Sequence, residues 1–191
     1  MKRTIITLFS LIVSGTIIFS QNGIKTQNIN IDKSTITWEG RKVTGSHDGT
    51  VRLKSGTLVF EDNKLKGGTF VIDMTSIVVT DLTGKSKDNL ESHLKSDDFF
   101  GIDNYPEAKL LIKKVVSLGT DGDYRIHGDL TIKGTTNPIK FDAKLTANSA
   151  TASIVVDRSE YNIRYGSGSF FDNLGDKTIY DDFKLEVKLV F

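Results

Sequence analysis

The sequence predicts an all-β fold: eight antiparallel strands closed into a barrel, with a short helical segment between the third and fourth strands. Three observations predict it. Apolar residues recur at every second position from Ser34 onward, most of the runs are parted by short turns, and only two prolines accompany 17 glycines. Strands are expected at 35–43, 50–61, 68–74, 107–118, 123–133, 138–147, 150–157 and 180–191. The last is the plainest, with Phe183, Leu185, Val187, Leu189 and Phe191 on one face and Lys184, Glu186 and Lys188 on the other. The fifth turns Tyr124, Ile126, Gly128, Leu130 and Ile132 inward. The sixth turns in Ile139, Phe141, Ala143 and Leu145, and the seventh Ala150, Ala152, Ile154 and Val156.

Turn chemistry gives an expected register. A loop at Asn148-Ser149 pairs Ala147 with Ala150, and a loop from Gly134 to Asn137 pairs Lys133 with Pro138, which sets Ile132 opposite Ile139 and Gly128 opposite Ala143. Lys114 breaks the alternation of Ala108, Leu110 and Ile112, and a bulge at Lys113-Lys114 accounts for it. Strands with one wet face each lose their exposed edges by closing, or fold into a two-sheet sandwich; closure is the expectation. Eight strands enclose a space that side chains fill or that holds one small ligand. Gly128, Ala143, Ala147, Ala150 and Ala152 are small neighbours that thin the wall, whereas Phe70, Phe141, Phe183 and Phe191 are large enough to plug the centre.

Residues 1–20 read as a secretory leader, and residues 21–191 as the mature domain. Lys2 and Arg3 precede a mostly apolar run from Ile5 to Phe19, and the small Ser20 suits cleavage before Gln21. The expected location is therefore the periplasm or outside the cell. With 25 basic and 24 acidic residues in all, the chain carries no field of the kind that tracks nucleic-acid phosphates. The absence of cysteine excludes disulfide scaffolds, thiol catalysis and Cys-ligated metals.

Parity places the loops after the first, third, fifth and seventh strands at one mouth. They carry His47 in 44–49, the segment 75–106, the turn at Thr135-Thr136, and the stretch 158–179 with its aromatics, Arg158 and Arg164. Ser86 is positioned to cap a helix with Leu90, His93 and Leu94 on one face, and a turn beginning at Ser96 then exposes Phe99 and Phe100.

These segments resemble the YceI-like family of periplasmic or secreted lipid- and polyisoprenoid-binding proteins, from Ile31 to Phe191. The resemblance rests on Ile31-Asp32 with Ser34 and Trp38, on the run from Val43 to Gly49, and on Gly68 to Met74. It rests equally on His93 to Phe100 followed by Tyr105-Pro106, on Gly128 to Gly134, on Asp157-Arg158-Ser159 with Asn173 to Asp176, and on Asp181-Asp182-Phe183. It implies a lipocalin-like barrel around a long apolar chain, without catalytic residues, cofactor or metal, and leaves oligomeric state open, a dimer included.

The main expectation is a carrier or sequestering protein for an isoprenoid or fatty-acid-like amphiphile. Its tail would lie among the inward aliphatics and aromatics and its head at the rim, with Trp38, Phe70, Ile72, Phe99, Phe100, Ile126, Phe141, Ile154, Arg158, Tyr161, Phe170, Phe171, Phe183 and Leu185 as the candidate ligand-binding residues. About 300 Å² of buried tail contributes roughly 7 kcal/mol before the cost of immobilisation. Arg158 and Arg164 offer forked donors to a phosphate or carboxylate, although the acidic neighbours of Arg158 equally suit a loop anchor. His47 and His93 with Asp48, Asp97 and Asp98 keep open a small enzyme or metal site, against the absence of H-E-x-x-H, G-x-S-x-G and Walker motifs. His127 lies between Arg125 and Asp129 on the wet face. A filled barrel that offers Phe99, Phe100, Phe170 and Phe171 to a protein partner is the remaining class.

Overall fold

A computed structural model describes residues 23–191; the expected leader over 1–20 lies outside the described residues. Nine strands form one antiparallel sheet: β1 (Ile24–Asn28), β2 (Thr35–Lys42), β3 (Gly45–Glu61), β4 (Lys64–Val79), β5 (Glu107–Ser117), β6 (Asp123–Ile132), β7 (Thr135–Leu145), β8 (Ser149–Asp157) and β9 (Ile179–Val190). The order β3-β2-β9-β8-β7-β6-β5-β4 returns to β3 through the β3–β4 pairing, so β2 to β9 make the expected closed eight-stranded barrel. β1 is an addition. It pairs with the distal half of β3, from Ile24↔Glu61 to Asn28↔Thr57. The helix α1 (Gly84–Lys95) falls between β4 and β5, where a helical segment was expected.

β3 and β4 are longer than predicted because three register shifts interrupt their mutual ladder and, with it, the period-two pattern. Such shifts bend long strands around a barrel. As a result His47 lies within β3, paired with Gly40, and the loop expected at 44–49 shrinks to a turn at Val43-Thr44. The bulge expected at Lys113-Lys114 is present: Ile112 pairs with Gly128 and Lys114 with His127. Lys114 thereby faces solvent.

Both expected hairpin registers need correction. The β6–β7 turn is the two residues Lys133-Gly134, at φ +49° and +73°, and it sets Ile132 opposite Thr135 and Gly128 opposite Ile139. Positive φ at both turn positions is what matches a tight turn to strand twist. At the β7–β8 turn Leu145 pairs with Ala150, and Ala147 is exposed in the turn itself. Each error is an even shift in register, so the inward and outward faces were still assigned correctly. Gly128 is covered by Leu110 and does not thin the wall.

Phe60 and Phe191 meet with ring centroids 6.4 Å apart and close the end of the barrel away from the long loops. Near the other end, the Trp38 ring lies across Gly49, where an added Cβ would fall 2.6 Å from the ring and 1.9 Å from the Val78 carbonyl oxygen. Gly49→Ala is therefore expected to cost about 1–3 kcal/mol in chemical denaturation through overpacking. Gly40→Ala, whose Cβ would meet nothing within 4 Å, serves as the near-neutral control.

Candidate functional site

Between the Phe60–Phe191 plug and the loop end of the barrel lies a cavity of about 200 Å³ to which every strand from β2 to β9 contributes. Trp38, Phe70, Ile72, Ile126, Phe141, Ile154, Phe183 and Leu185 all lie on its wall, together with Phe99, Phe100 and Arg158 from the loops. Tyr161, Phe170 and Phe171 do not: Tyr161 is buried outside the cavity, and Phe170 and Phe171 are exposed. The large phenylalanines line the space without filling it. Ala143, Ala150 and Ala152 leave the β7–β8 side shallow. Ile77 and Leu94 also line it; the first was missed because β4 was expected to end at 74, the second because it belongs to α1.

An apolar void loses the dispersion contacts that a filled core would have. At about 24 cal/mol per Å³, 200 Å³ of void corresponds to roughly 5 kcal/mol relative to a filled barrel. Arg158 is the only charged residue on the wall among the described residues. The buried Trp38 Nε1 has no hydrogen-bond partner among the described residues.

The loop end is shut by a folded-back segment. After α1, the Ser96 hydroxyl and backbone N–H cap the His93 carbonyl, Phe100 N–H returns to the Leu94 carbonyl, and Gly101, at φ +59°, donates to the Ser96 carbonyl. This fold directs Phe99 downward and buries it, which corrects its expected exposure; Phe100 is half-buried. The Phe99 ring lies 5.0 Å from that of Phe100, 5.7 Å from His93, and 5.5 Å from the Arg158 guanidinium carbon. Phe100 in turn meets Phe183 at 6.5 Å. Glu91 secures α1 to the barrel by accepting the Val79 N–H at 2.9 Å.

Arg158 is 2% exposed, and its donors are committed to the protein itself. Nε donates to the Tyr180 carbonyl, Nη1 to those of Ile163 and Tyr165, and Nη2 to that of Ile179, at 2.9 to 3.2 Å. Nη2 also lies 3.2 Å from Asp181 Oδ1. Burial pushes the guanidinium below its ordinary value, opposed by Asp181 and Asp157. Arg158 is thus the anchor of the β8–β9 loop and has no fork to give to a ligand head. Arg164 remains exposed, its guanidinium 4.8 Å over the Phe170 ring and its Nε donating to Asn162. It shares a surface cleft with Lys133, Lys177, Asp97, Asp98, Tyr165 and Phe171.

The histidines are engaged in packing and pairing. His47 Nδ1 is 2.8 Å from Asp81 Oδ2, and the backbone N–H of Asp48 reaches Asp81 Oδ1. Burial raises the Asp81 carboxyl, but His47 and the Asp48 N–H together hold it below its ordinary value. His93 stacks edgewise on Tyr165 at 4.3 Å. Among the described residues no group of three or more His, Cys, Asp or Glu is arranged to hold a metal.

Residues 27–191 match the family model of the YceI-like domain. Protein YceI of Escherichia coli O6:H1 is 35% identical over 98 residues, covering 51% of this chain and 48% of that protein. The chain spans 28% to 56% of the length of the curated relatives it matches. Among solved structures, BcnA of Burkholderia cenocepacia superposes with a TM-score of 0.64 at 20% identity, covering 85% of this chain and 99% of that one. A polyisoprenoid-binding domain from Saccharophagus degradans superposes at 0.56 and 14% identity, covering 87% and 97%. These two likenesses show the fold.

Two measurements check the anchoring. Arg158→Met, which strands four carbonyls and Asp181, is expected to lose about 3–5 kcal/mol of stability and to open the 162–178 loop to limited proteolysis. Burial, reinforced by Glu160 and Asp157, pushes the Tyr161 hydroxyl up to about 12. Because the folded value is raised, its contribution to stability is whole below about pH 10 and is lost as pH rises toward the folded value. A titration at 295 nm should show one of the five tyrosines ionising late, and Tyr161→Phe should remove that step.

Proposed function

The chain belongs to the YceI-like family, and on that footing we propose that it binds an amphiphile non-catalytically, with an isoprenoid or acyl chain inside the barrel and the polar head at the rim. One observation carries this reading: a cavity of about 200 Å³, walled by apolar side chains, in a barrel whose far end is plugged. An engineered apolar cavity of about 150 Å³ stays dry and takes up benzene, so a void of this character favours an apolar guest over water. In this conformation it receives a short length of chain.

The head group is assigned to the surface cleft and not to Arg158. Lys133, Arg164 and Lys177 supply three positive charges there against two negative ones from Asp97 and Asp98, and Tyr165 and Phe171 supply apolar surface. An anionic head, phosphate or carboxylate, fits that mixture. The polyisoprenoid named for the Saccharophagus degradans domain supports the prenyl alternative. The leader-like residues 1–20 support a role in the cell envelope or outside the cell. No helix among the described residues is long and apolar enough to cross a membrane.

Native mass spectrometry of gently purified protein is expected to show a bound apolar molecule, and farnesyl phosphate is expected to displace a fluorescent apolar probe. The double substitution Arg164→Glu/Lys177→Glu should weaken farnesyl phosphate by about tenfold and leave farnesol nearly unchanged. Protein that takes up neither probe nor prenyl chain after delipidation would contradict the proposal.

A further inference from the structure

We propose that the chain of the bound amphiphile passes sideways into the barrel through a slit between β7 and β8, and not through the stoppered mouth; the proposal rests on the binding reading above. The slit is visible in the ladders. β6 and β7 pair throughout, from Asp123↔Lys144 to Ile132↔Thr135, and β8 and β9 pair throughout, from Ser149↔Val190 to Asp157↔Asp182. The β7–β8 ladder stops after Leu145↔Ala150, Lys144↔Thr151 and Ala143↔Ala152. Beyond it, each strand presents an unpaired edge to the other. The β4–β5 ladder also stops short, at Gly68↔Ile112, and leaves 113–117 of β5 unpaired on the β4 side.

The direction of the backbone groups follows from the turns. Thr146 N–H donates to the Ser149 carbonyl, which makes that pair hydrogen-bonded, and alternation along an antiparallel pair then turns Lys144 and Thr151 toward each other. By the same alternation Lys140 and Asp142 on β7, and Ser153 and Val155 on β8, direct their amides into the slit. Pro138 has the same orientation and no N–H to give. A proline within a strand is confined to positions where no ladder bond is required, and this one faces the gap.

Side chains on the outer surface also turn away from the slit. Asp142 receives the fork of Arg125 on β6 at 2.8 and 2.9 Å, Thr136 bonds Thr131 on β6, and Ser153 donates to Glu186 on β9. Among the described residues one side-chain hydrogen bond crosses it: Asn137 Nδ2 to the Glu160 carbonyl, at 2.7 Å. The inner lips are apolar, since Ile139, Phe141 and Ile154 lie on the cavity wall. The outer lip carries Val155, which is 59% exposed although it is a valine within a strand. The lips are thus apolar on the inner side and at Val155, with the unpaired backbone groups between them. Parting them breaks one hydrogen bond, whereas opening the mouth displaces Phe99 from beneath an arginine bonded to four carbonyls.

The chain has no cysteine, so a clamp can be placed at will. Lys140 and Val155 are exposed and lie off the cavity wall, and continuation of the β7–β8 register would bring them opposite one another. In Lys140→Cys/Val155→Cys joined by a cleavable bifunctional thiol reagent, cis-parinaric acid is expected to bind and leave about tenfold more slowly, with affinity little changed. Cleaving the clamp should restore both rates. The same reagent across the continuous ladder, in Thr131→Cys/Thr136→Cys, should leave them as they are. Clamped protein that exchanges the probe at the unclamped rate overturns the proposal. Hydrogen exchange tests the slit without ligand: the amides of Lys140, Asp142, Ser153 and Val155 should exchange about tenfold or more faster than those of Lys144 and Thr151. Equal protection overturns the slit alone. Fast amides in a protein that binds no probe overturn the binding reading and the route with it.

Discussion

The barrel depends on a mismatch between its circumference and its filling. Eight strands with one wet face each must close to satisfy their edges, and closure fixes an interior that these particular side chains do not occupy. Phe70, Phe141 and Phe183 reach inward from their strands, but Ala143, Ala150 and Ala152 leave one side shallow. Protein interiors are ordinarily packed as densely as organic crystals, so an unfilled apolar space is a standing deficit that an apolar molecule can remove.

The loop end covers this space. Arg158 folds the 158–181 segment around its own guanidinium, and its aromatic contact holds Phe99 over the cavity. Its charge would be poorly placed as a ligand hook, because it donates to four carbonyls and lies 3.2 Å from Asp181. Lys133, Arg164 and Lys177 stand apart from it in a surface cleft that they share with Asp97 and Asp98. Between the Phe99 cover at one end and the Phe60–Phe191 pair at the other, the β7–β8 pairing is interrupted along the wall.

Much of this was legible in the sequence because period-two alternation survives errors of register. The turns at Lys133-Gly134 and Ala147-Asn148 were misplaced, yet Ile126, Phe141 and Ile154 were still assigned inward, since an even shift preserves the face. The bulge near Lys113 was readable as a charged residue out of phase. The full lengths of β3 and β4 were hidden because their own bulges erase the alternation, and β1 because its residues are mostly exposed. Loop side chains were harder. Composition cannot separate the buried Phe99 from the exposed Phe170 and Phe171, nor show that Arg158 is satisfied by backbone carbonyls, which any sequence would supply. Pro138 was a signal in plain view, meaningful only once its neighbours were known to be unpaired.

The most direct measurement is thermal and chemical unfolding of Ala143→Leu, a substitution into the shallow side of the cavity, with and without cis-parinaric acid. If the interior lacks only a guest, the ligand-free variant gains about 0.5–2 kcal/mol over the parent protein, while its affinity for the fatty acid and the stabilisation that binding confers both fall. A variant that is destabilised by overpacking and binds the fatty acid as tightly as before would contradict the account.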